Sequence, residues 1–409
     1  MCSSDLDLFA FGGGCTFATA ACATKFGKTP GAISMSQGFQ VFNTPPTPAT
    51  FTGTIQAQNL NFKLGRVQQF NVNVERQLPG EIVLTVGYAG SRSSHILVDG
   101  NNINLGTPSA CGTPGYTRGC APGGGALLPP YQAFCSPFGC STILESTDQG
   151  AAHYNSLQIK AETKSSKYGL YALVGYTYSR TYDSGFADGL GSNYGATYFP
   201  LPGWQKLDWA LSGINLNNNF TASVIYDLPV GKGKKFGSGW SGPANTILGN
   251  WQVTVIEKIT SGFPVFIVDS NNASGSGFLN NNGASLTRPD LVAGCNPSAA
   301  PKTPTEWFNT ACFVHAAAGT LGTASRAPVS GPGFVNTDFS LIKQFALPWE
   351  NMGLNFRAEV FNLFNHPQFA SPDSTGSLGI PDVNAPGFGS IASTVNNPRL
   401  VQFGLKLTF

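Results

Sequence analysis

The pattern of apolar and polar positions is clearest in the last residues of the chain, from Arg399 to Phe409. Apolar residues occupy every second position there, and polar or small residues such as Gln402, Gly404 and Lys406 lie between them. The apolar set is Val401, Phe403, Leu405, Leu407 and Phe409. Because successive side chains of a β-strand point to opposite faces, this period of two predicts a strand with one apolar face and one polar face.

The same period recurs upstream and predicts about nine strands in all. They lie near 65–78, 81–97, 151–164, 168–182, 214–229, 247–268, 334–347, 352–367 and 397–409. The apolar positions of the eight upstream strands are Phe70, Val72, Val74, Ile82, Leu84, Val86, Tyr88, Leu157, Ile159, Ala161, Ala172, Val174, Tyr176, Tyr178, Phe220, Ala222, Val224, Tyr226, Trp251, Val253, Val255, Phe339, Leu341, Phe345, Leu354, Phe356, Ala358 and Val360. Glu257 interrupts this pattern, which predicts a strand end or a β-bulge there.

Connections between the predicted strands alternate between short turns and long loops. The short turns are Pro79-Gly80, 165–167 and 348–351, with 231–246 a longer exception, and the long loops span 98–150, 183–213, 269–333 and 368–396. All long loops then fall at one end of the strands, as in outer-membrane barrels, whereas a soluble β-sandwich has no reason for such a distribution. We therefore predict an all-β protein: an antiparallel transmembrane up-and-down β-barrel, partial, with about 9–10 strands of a larger barrel.

Composition fits this fold better than it fits a soluble domain. Charged residues make up 11% of the chain, against about 25% in ordinary soluble domains. No apolar run approaches the roughly 18 residues of a membrane-spanning helix. The net charge of +2 comes without a basic stripe, so nucleic acid is not an expected partner.

Six of the nine cysteines form close pairs in segments rich in Gly and Pro. The pairs are Cys111 with Cys120, Cys135 with Cys140, and Cys295 with Cys312. This usage favours disulfides in an oxidising space, the periplasm or the cell surface, with free thiols as the alternative. Zinc is disfavoured because no CxxC pair exists and the histidines are scattered.

The first 64 residues lack a sustained period of two. We predict that 1–64 is an irregular segment, the loop and strand remnant of a truncated chain, and that 65–409 is the C-terminal part of the barrel. No Lys or Arg precedes Lys25, and Asp5 and Asp7 stand where a signal peptide is basic, so we expect a longer natural chain. Alternatively, this segment adds strands that close a smaller barrel, for which 33–42 is the best candidate.

Motifs of catalysis are scarce. The match to GxGxxG at Gly237–Gly242 is followed by Pro243, so we predict an ordinary turn without a helix start. The sequence contains no GxSxG, HExxH or P-loop motif, and the four histidines are predicted to be solvated. We predict no enzyme activity, no cofactor and no metal.

Three charged residues near the C-terminus are candidates for lining a water-filled lumen. Arg357 and Glu359 are two residues apart and therefore share one strand face, and Asp338 lies on the preceding strand. Lys343 falls on the opposite face by strict alternation. Inward charge in a wide barrel is ordinary lining, so we predict a wall of charged side chains without acid–base catalysis.

Several segments resemble the C-terminal half of Oar-like TonB-dependent receptors, a family abundant in acidobacteria. They include 87–92 (GYAGSR), 154–158 (YNSLQ), 249–253 (GNWQV), 288–291 (RPDL) and, most specifically, 356–367 (FRAEVFNLFNHP). The resemblance covers about residues 50–409. It implies a regulatory-like domain, a plug and a TonB-contacting segment in the complete receptor, none of which is visible in this sequence, and a barrel of about 22 strands. It also implies that Phe409 is a barrel assembly signal.

The resemblance and the pattern together predict the barrel part of an outer-membrane transporter that takes up a bulky extracellular ligand. Ligand capture would fall to loops 98–150 and 269–333. Expected partners are outer-membrane lipid, the barrel-assembly machinery and, through the missing N-terminal part, the TonB complex. Two alternatives remain: a surface structural or adhesive protein that uses the barrel as an anchor, and a secreted soluble β-protein.

Overall fold

The structure of the protein is a computed structural model that describes residues 54–103, 142–165, 168–184, 208–270, 288–317, 320, 322–346, 352–372 and 381–409. These residues form β-strands, one short α-helix, α1 (Gly242–Leu248), and one turn of 3-10 helix (Thr310–Cys312). The strands are β1 (Thr54–Gln58), β2 (Arg66–Leu78), β3 (Ile82–Asn102), β4 (Thr142–Ser165), β5 (Leu170–Asp183), β6 (Ala210–Leu211), β7 (Asn218–Asp227), β8 (Trp251–Thr260), β9 (Pro264–Val265), β10 (Asp290–Leu291), β11 (Phe313–Val314), β12 (Val329–Ser330), β13 (Phe334–Ala346), β14 (Gly353–Phe361) and β15 (Leu400–Thr408).

One large sheet contains the nine long strands. Their order is β15-β14-β13-β8-β7-β5-β4-β3-β2, and each neighbouring pair is antiparallel. β6 pairs with the end of β5, and β1 runs parallel to part of β4. Among the described strands, β2 and β15 form the two edges. Up-and-down order is the topology of outer-membrane barrels, so the predicted fold class is confirmed.

The register places the predicted apolar positions on one face of this sheet. In one row, residues paired across six strands are Val401, Val360, Phe339, Val255, Val224 and Ala172. Large side chains on this apolar face remain exposed, as for Val72 (69%), Phe403 (72%) and Leu405 (68%). Exposed apolar side chains at every second residue suit a face that contacts lipid, so we call this face outward and the other the lumen face.

The long connections all lie at one end of the sheet. They follow β3, β5, β8 and β14, whereas the short turns before β3, β5 and β14 and the longer connection before β8 lie at the opposite end. In outer-membrane barrels the long loops are extracellular and the short turns are periplasmic. We therefore call these ends the outer end and the inner end.

Several strand boundaries differ from the prediction. β3 continues to Asn102 and β4 begins at Thr142, because their ladder extends outward through register shifts beyond Ser93. β8 ends at Thr260 and β14 at Phe361, both earlier than predicted. At the end of β14 the backbone leaves the extended conformation, since the next residue is an asparagine with a φ of 51°.

Glu257 does not interrupt its strand, so the predicted strand end or bulge is wrong. The pairing of β8 with both neighbours is continuous through this residue. The Glu257 carboxylate accepts a hydrogen bond of 2.6 Å from the Thr337 hydroxyl, on the paired residue of β13. A hydrogen-bonded acceptor costs far less on an apolar face than an unpaired one, which allows regular pairing here.

The predicted absence of a helix start after the GxGxxG match is also wrong, since α1 begins at Gly242 with a proline in its first turn. Proline is well tolerated there because its missing N–H would have no partner within the helix. The Asn245 side chain accepts a hydrogen bond of 2.7 Å from the Lys232 backbone N–H, which closes this inner turn. The described residues contain no helix of the length and apolar character needed to cross a membrane.

The structure describes part of the predicted N-terminal segment, from residue 54 onward. β1 pairs with residues 142–146 of β4, and its Ile55 and Ala57 pack against the buried Ile143. Part of the segment therefore joins the sheet near its outer end. The candidate strand at 33–42 lies outside the described residues, and the division at residue 64 stays a prediction.

Candidate functional site

Segments beyond the outer ends of β8, β13 and β14 fold together into a unit that we call the cap (261–270, 288–317, 322–333 and 381–391). Its hydrophobic core contains Val265, Ile267, Phe308, Cys312, Phe313, Ala324 and Val329. Phe308 packs edge-on against Phe313 and Phe388, with ring centroids 5.7 and 5.2 Å apart. β9 pairs with β12, and β10 with β11. The cap therefore has a packed interior, unlike a set of independent loops.

A disulfide joins Cys295 to Cys312 within the cap, with their Cα atoms 5.4 Å apart. Cys312 is completely buried in the hydrophobic core at the end of the 3-10 turn. The side chain of Asn309, which precedes this turn, accepts a hydrogen bond from Ala311 N–H. The bond closes a loop of 17 residues in sequence separation, which lowers the conformational entropy of the unfolded segment. The other predicted pairs, Cys111 with Cys120 and Cys135 with Cys140, lie outside the described residues.

Two buried ion pairs fasten the cap to the outer end of the sheet. The Arg326 guanidinium pairs with the carboxylate of Asp183, the last residue of β5, and also donates to its backbone carbonyl at 3.2 Å. Arg288 pairs with Asp208, just before β6. All four side chains are at most 7% exposed. Arg326 also lies 5.3 Å from the Phe266 ring centroid, a cation–π contact that adds to the ion pair.

Arg288 retains its charge in this environment. Burial lowers its pKa to about 10, the attraction of Asp208 opposes this change, and the neighbouring charge of Arg326 adds to it. A pKa of about 10 still leaves the group protonated at neutral pH. The Arg288–Asp208 contact is therefore an ion pair under physiological conditions, and removing either partner would leave the other charge buried and uncompensated.

A polar network connects the two halves of the cap. Asp269, with a fully buried side chain, accepts a hydrogen bond of 2.8 Å from Asn384 Nδ2 and lies 3.1 Å from Nδ1 of the half-exposed His315. Asp382 in turn accepts a hydrogen bond of 3.1 Å from the Ser270 backbone N–H. The contacts of Asn384 with Asp269 and of Asp382 with Ser270 join residues that are more than a hundred positions apart, so the loop after β14 is part of the cap.

The histidines are not simply solvated, contrary to expectation. Besides His315, His95 lies 3.0 Å from the Asp148 carboxylate, His153 lies 2.6 Å from an Arg92 nitrogen, and His366 lies 3.0 Å from the Gln368 amide. Within the part of the chain that the structure describes, no group of three or more His, Cys, Asp or Glu side chains is arranged to hold a metal ion.

The predicted lumen residues share the lumen face of β13 and β14 but do not form one cluster. Arg357 and Glu359 approach to 3.6 Å, and Gln402 of β15 donates to Glu359 at 2.5 Å. Asp338 lies further out and accepts a hydrogen bond of 2.9 Å from the Asn362 backbone N–H. Asp338 thus stabilises the strand end, and the lining role of the three charged residues stays a prediction.

Lys343 is on the outward face, as strict alternation indicates, yet its side chain is only 1% exposed. Its ammonium group donates to the Gly249 carbonyl and lies 5.2 Å from both the Trp251 and the Phe345 ring centroids. These contacts hold the charge near the inner end of the sheet, against a carbonyl oxygen and two aromatic rings. The lysine therefore does not contribute to the lumen face.

A cavity of about 630 Å³ opens at the inner end, between β7, β8, β13, β14 and β15. Polar side chains of the lumen face that line it are Gln252, Gln344, Asn355 and Lys406. Gln252 donates a hydrogen bond of 2.8 Å to Asp227. The arrangement can bind water and polar solutes, and it presents no nucleophile beside a base among these lining residues.

Sequence reasoning missed the residues that hold the cap in place. Asp183, Asp208 and Arg326 carry no motif, and Arg288 was noted only as the first residue of the RPDL segment. A signal was nevertheless present: charged residues are scarce in the long loops, and a lone Arg or Asp in such a segment needs a partner when it is buried. Which residues pair cannot be read from the sequence.

Solved structures of outer-membrane transporters are similar to this chain. They include the outer membrane transporter YddB from Escherichia coli (8% identity, TM-score 0.43, 88% of this chain and 34% of that chain), the FrpB iron transporter from Neisseria meningitidis (12%, 0.36, 86% and 32%) and the ferripyoverdine receptor of Pseudomonas aeruginosa (9%, 0.37, 84% and 27%). The chain spans about a third of the length of the first two structures. No protein of curated function matches the sequence.

The family model of the outer membrane β-barrel domain matches residues 10–402, nearly the whole chain. This match agrees with the up-and-down sheet, the outward apolar face and the long connections at one end. The protein therefore belongs to the outer membrane β-barrel domain family and is located in the outer membrane.

Proposed function

We propose that this chain forms the C-terminal barrel wall of an Oar-like TonB-dependent transporter that takes up a bulky ligand, with the plug and the TonB-contacting segment supplied by another part of the receptor. The width of the sheet supports a large barrel. Nine long strands at a spacing of about 4.8 Å cover about 38 Å of wall before either edge is paired. Unpaired edges are very costly in hydrocarbon, which supports a circumference completed by strands other than these nine.

The lumen face supports a water-filled interior. One row across six strands, from β8 to β2, contains Lys258, Thr221, Gly175, Lys160, Thr85 and Glu75. Both signs of charge occur in this row, and Lys160 pairs with Glu162 at 2.9 Å. A polar, charged wall of this extent is compatible with passage of a polar solute and unsuited to a dry core.

The cap is the observation that carries the proposal. A loop layer with its own core, a disulfide and two buried ion pairs to the sheet is preorganised, and preorganised surfaces lose less entropy when they bind a ligand. A layer attached to the outer end of a polar lumen wall is suited to contact a ligand before it enters.

The proposal can be tested through access to the lumen in living cells. Ser340 and Leu341 are adjacent on β13, and their register places Ser340 with Glu359 on the lumen face and Leu341 with Ala358 on the outward face. Cells that express the full-length receptor with Ser340→Cys or with Leu341→Cys would be treated from outside with membrane-impermeant polyethylene glycol maleimides of increasing size. The protein without a new cysteine provides the background.

If the protein is a TonB-dependent transporter, labelling at position 340 should increase when the cells are energised and should fall after addition of a protonophore or loss of TonB. Position 341 should remain unlabelled in every condition because lipid covers it. Labelling at 340 that is indifferent to energy would refute transport and favour the adhesive or structural alternative. Labelling at 341 equal to that at 340 would refute the assignment of the two faces.

A further inference from the structure

Three exposed arginines lie on the outward face near the outer end of the sheet, beyond the apolar positions of their strands. Arg66 belongs to β2, Arg92 to β3 and Arg180 to β5. The apolar positions Val72, Tyr88 and Tyr178 follow toward the inner end on the same face. We call these three residues the outer basic cluster. Their place marks the boundary between hydrocarbon and head groups on the outer side.

The register places Arg92 between Arg66 and Arg180. Arg66 pairs with Ser94, which is two residues from Arg92 on the same face of β3, so the two arginines are diagonal neighbours. Arg180 lies two strands away and one row further in, opposite Asn155. With strands about 4.8 Å apart, this places the Arg92 and Arg180 backbones within about 12 Å of each other. Arg66 lies three strand spacings and two rows from Arg180, about 20 Å between their backbones. The three guanidinium groups therefore form a band wide enough for more than one phosphate group.

Aromatic and histidine side chains complete this surface. An Arg92 nitrogen lies 2.6 Å from His153 Nδ1, and the His153 ring contacts Trp209 edge-on at 4.8 Å. Trp209 also stacks with Tyr182 at 6.4 Å. Trp and Tyr favour the membrane interface, because each side chain combines an apolar ring with one polar atom. In the described rows that contain the arginines, no residue on this face is acidic.

An open cavity of about 540 Å³ adjoins the cluster on its outer side. Ser94, the partner of Arg66, lines it together with Asn59, Asn61, His95 and Asp148. The cavity presents amide, carboxylate and imidazole groups at the level just outside the arginines. Amide and carboxylate groups are suited to hydrogen bonds with hydroxyl groups, because a hydroxyl group can both donate and accept.

We propose that the outer basic cluster binds the phosphate groups of a phosphorylated glycolipid in the outer leaflet, and that the adjoining cavity receives part of its sugar head group. Guanidinium groups bind phosphate by paired, charge-assisted hydrogen bonds. Acyl chains of the same lipid would extend along the apolar face toward the inner end. The proposal rests on membership of the outer-membrane family and not on transport.

A lipid fits this surface better than a soluble anion. The cluster faces outward, away from the lumen, and the apolar side chains directly below it continue a surface for acyl chains. A free phosphate would satisfy the arginines but leave both the apolar face and the polar cavity without a role. A phosphorylated glycolipid uses all three features with one molecule.

The test uses the full-length protein, purified from outer membranes and reconstituted into discs of neutral phospholipid. Binding of a labelled diphosphorylated glycolipid would be compared with its dephosphorylated form, with phosphatidylglycerol and with inorganic phosphate as competitor. Each arginine near an anionic surface should contribute about fivefold, so the triple variant R66Q/R92Q/R180Q should bind about a hundredfold less. The matched control K160Q/K258Q/K406Q removes three cations from the lumen face and should change binding less than about twofold.

Some results would overturn the proposal without any variant. If the wild-type protein binds the dephosphorylated glycolipid as tightly as the phosphorylated one, the cluster does not recognise phosphate. Equal binding of phosphatidylglycerol would overturn the role of the cavity, and displacement by inorganic phosphate at equal concentration would overturn the lipid as occupant. Should R66Q/R92Q/R180Q fail to fold, the charge-retaining R66K/R92K/R180K variant provides the comparison and should keep most of the binding.

Discussion

An arginine in place of Leu405 tests the outward face at its most sensitive point. Leu405 is the central member of five apolar positions, from Val401 to Phe409, and its side chain is 68% exposed. Eight residue steps of about 3.4 Å at a tilt of about 45° span roughly 19 Å along the membrane normal. Leu405 is therefore near the midplane, where arginine destabilises a barrel by about 2–4 kcal/mol. We expect about 3 kcal/mol for L405R and, because it is one step further out, about 2 kcal/mol for F403R.

The matched control is three residues away on the same strand. Gln402 lies on the lumen face, 2.5 Å from the Glu359 carboxylate, so an arginine there keeps an acceptor and stays in water. We expect Q402R to change the free energy of unfolding by less than about 0.5 kcal/mol. The measurement is urea unfolding of the full-length protein in vesicles, followed by tryptophan emission and by heat-dependent mobility on gels. Equal losses for L405R and Q402R would refute the assigned faces.

Three further predictions concern the cap and the C-terminus. R326L should destabilise the cap by about 3–5 kcal/mol, because the Asp183 carboxylate then stays buried without its partner. The double variant D183L/R326L should recover most of this loss, and limited proteolysis of the outer loops measures both effects. Replacing Cys295 and Cys312 together by alanine should lower cap stability by about 3 kcal/mol. Under oxidising conditions a protease should then cleave the cap of this variant faster than that of the unmodified protein, and a reductant should not accelerate cleavage of the variant further. Deleting Phe409, which is 94% exposed, should impair membrane assembly, and normal assembly of the shortened chain in outer-membrane fractions would contradict the role implied by the resemblance.

The sheet was predictable because its pattern has a strict physical cause. A strand between lipid and water must alternate, so the face of residues such as Phe403 and Val255 follows from sequence parity alone. The outer extension of β3 and β4 was not predictable, since beyond the membrane the alternation is no longer required. Glu257 shows the same limit, because a hydrogen bond from a neighbouring strand can keep a carboxylate on the apolar face.

The cap was not predictable beyond the pairing of Cys295 with Cys312. Its core and ion pairs join residues from loops that are far apart in sequence, such as Arg326 with Asp183, which are 143 positions apart. Such contacts are set by tertiary packing and leave no periodic signal. The lumen residues fall between these cases: parity placed Arg357 and Glu359 on one face, but the role of Asp338 at a strand end depends on the turn at Asn362.

The attachment of Arg326 to Asp183 has a mechanical consequence. Arg326 belongs to the connection from β8 to β13, whereas Asp183 ends β5, so the contact spans strands that are separated in the sheet by β7. A crosslink of this kind restrains how far neighbouring hairpins can splay at the rim. The cap thus restrains the local curvature of the sheet, and a force applied to the cap from outside is distributed among several hairpins.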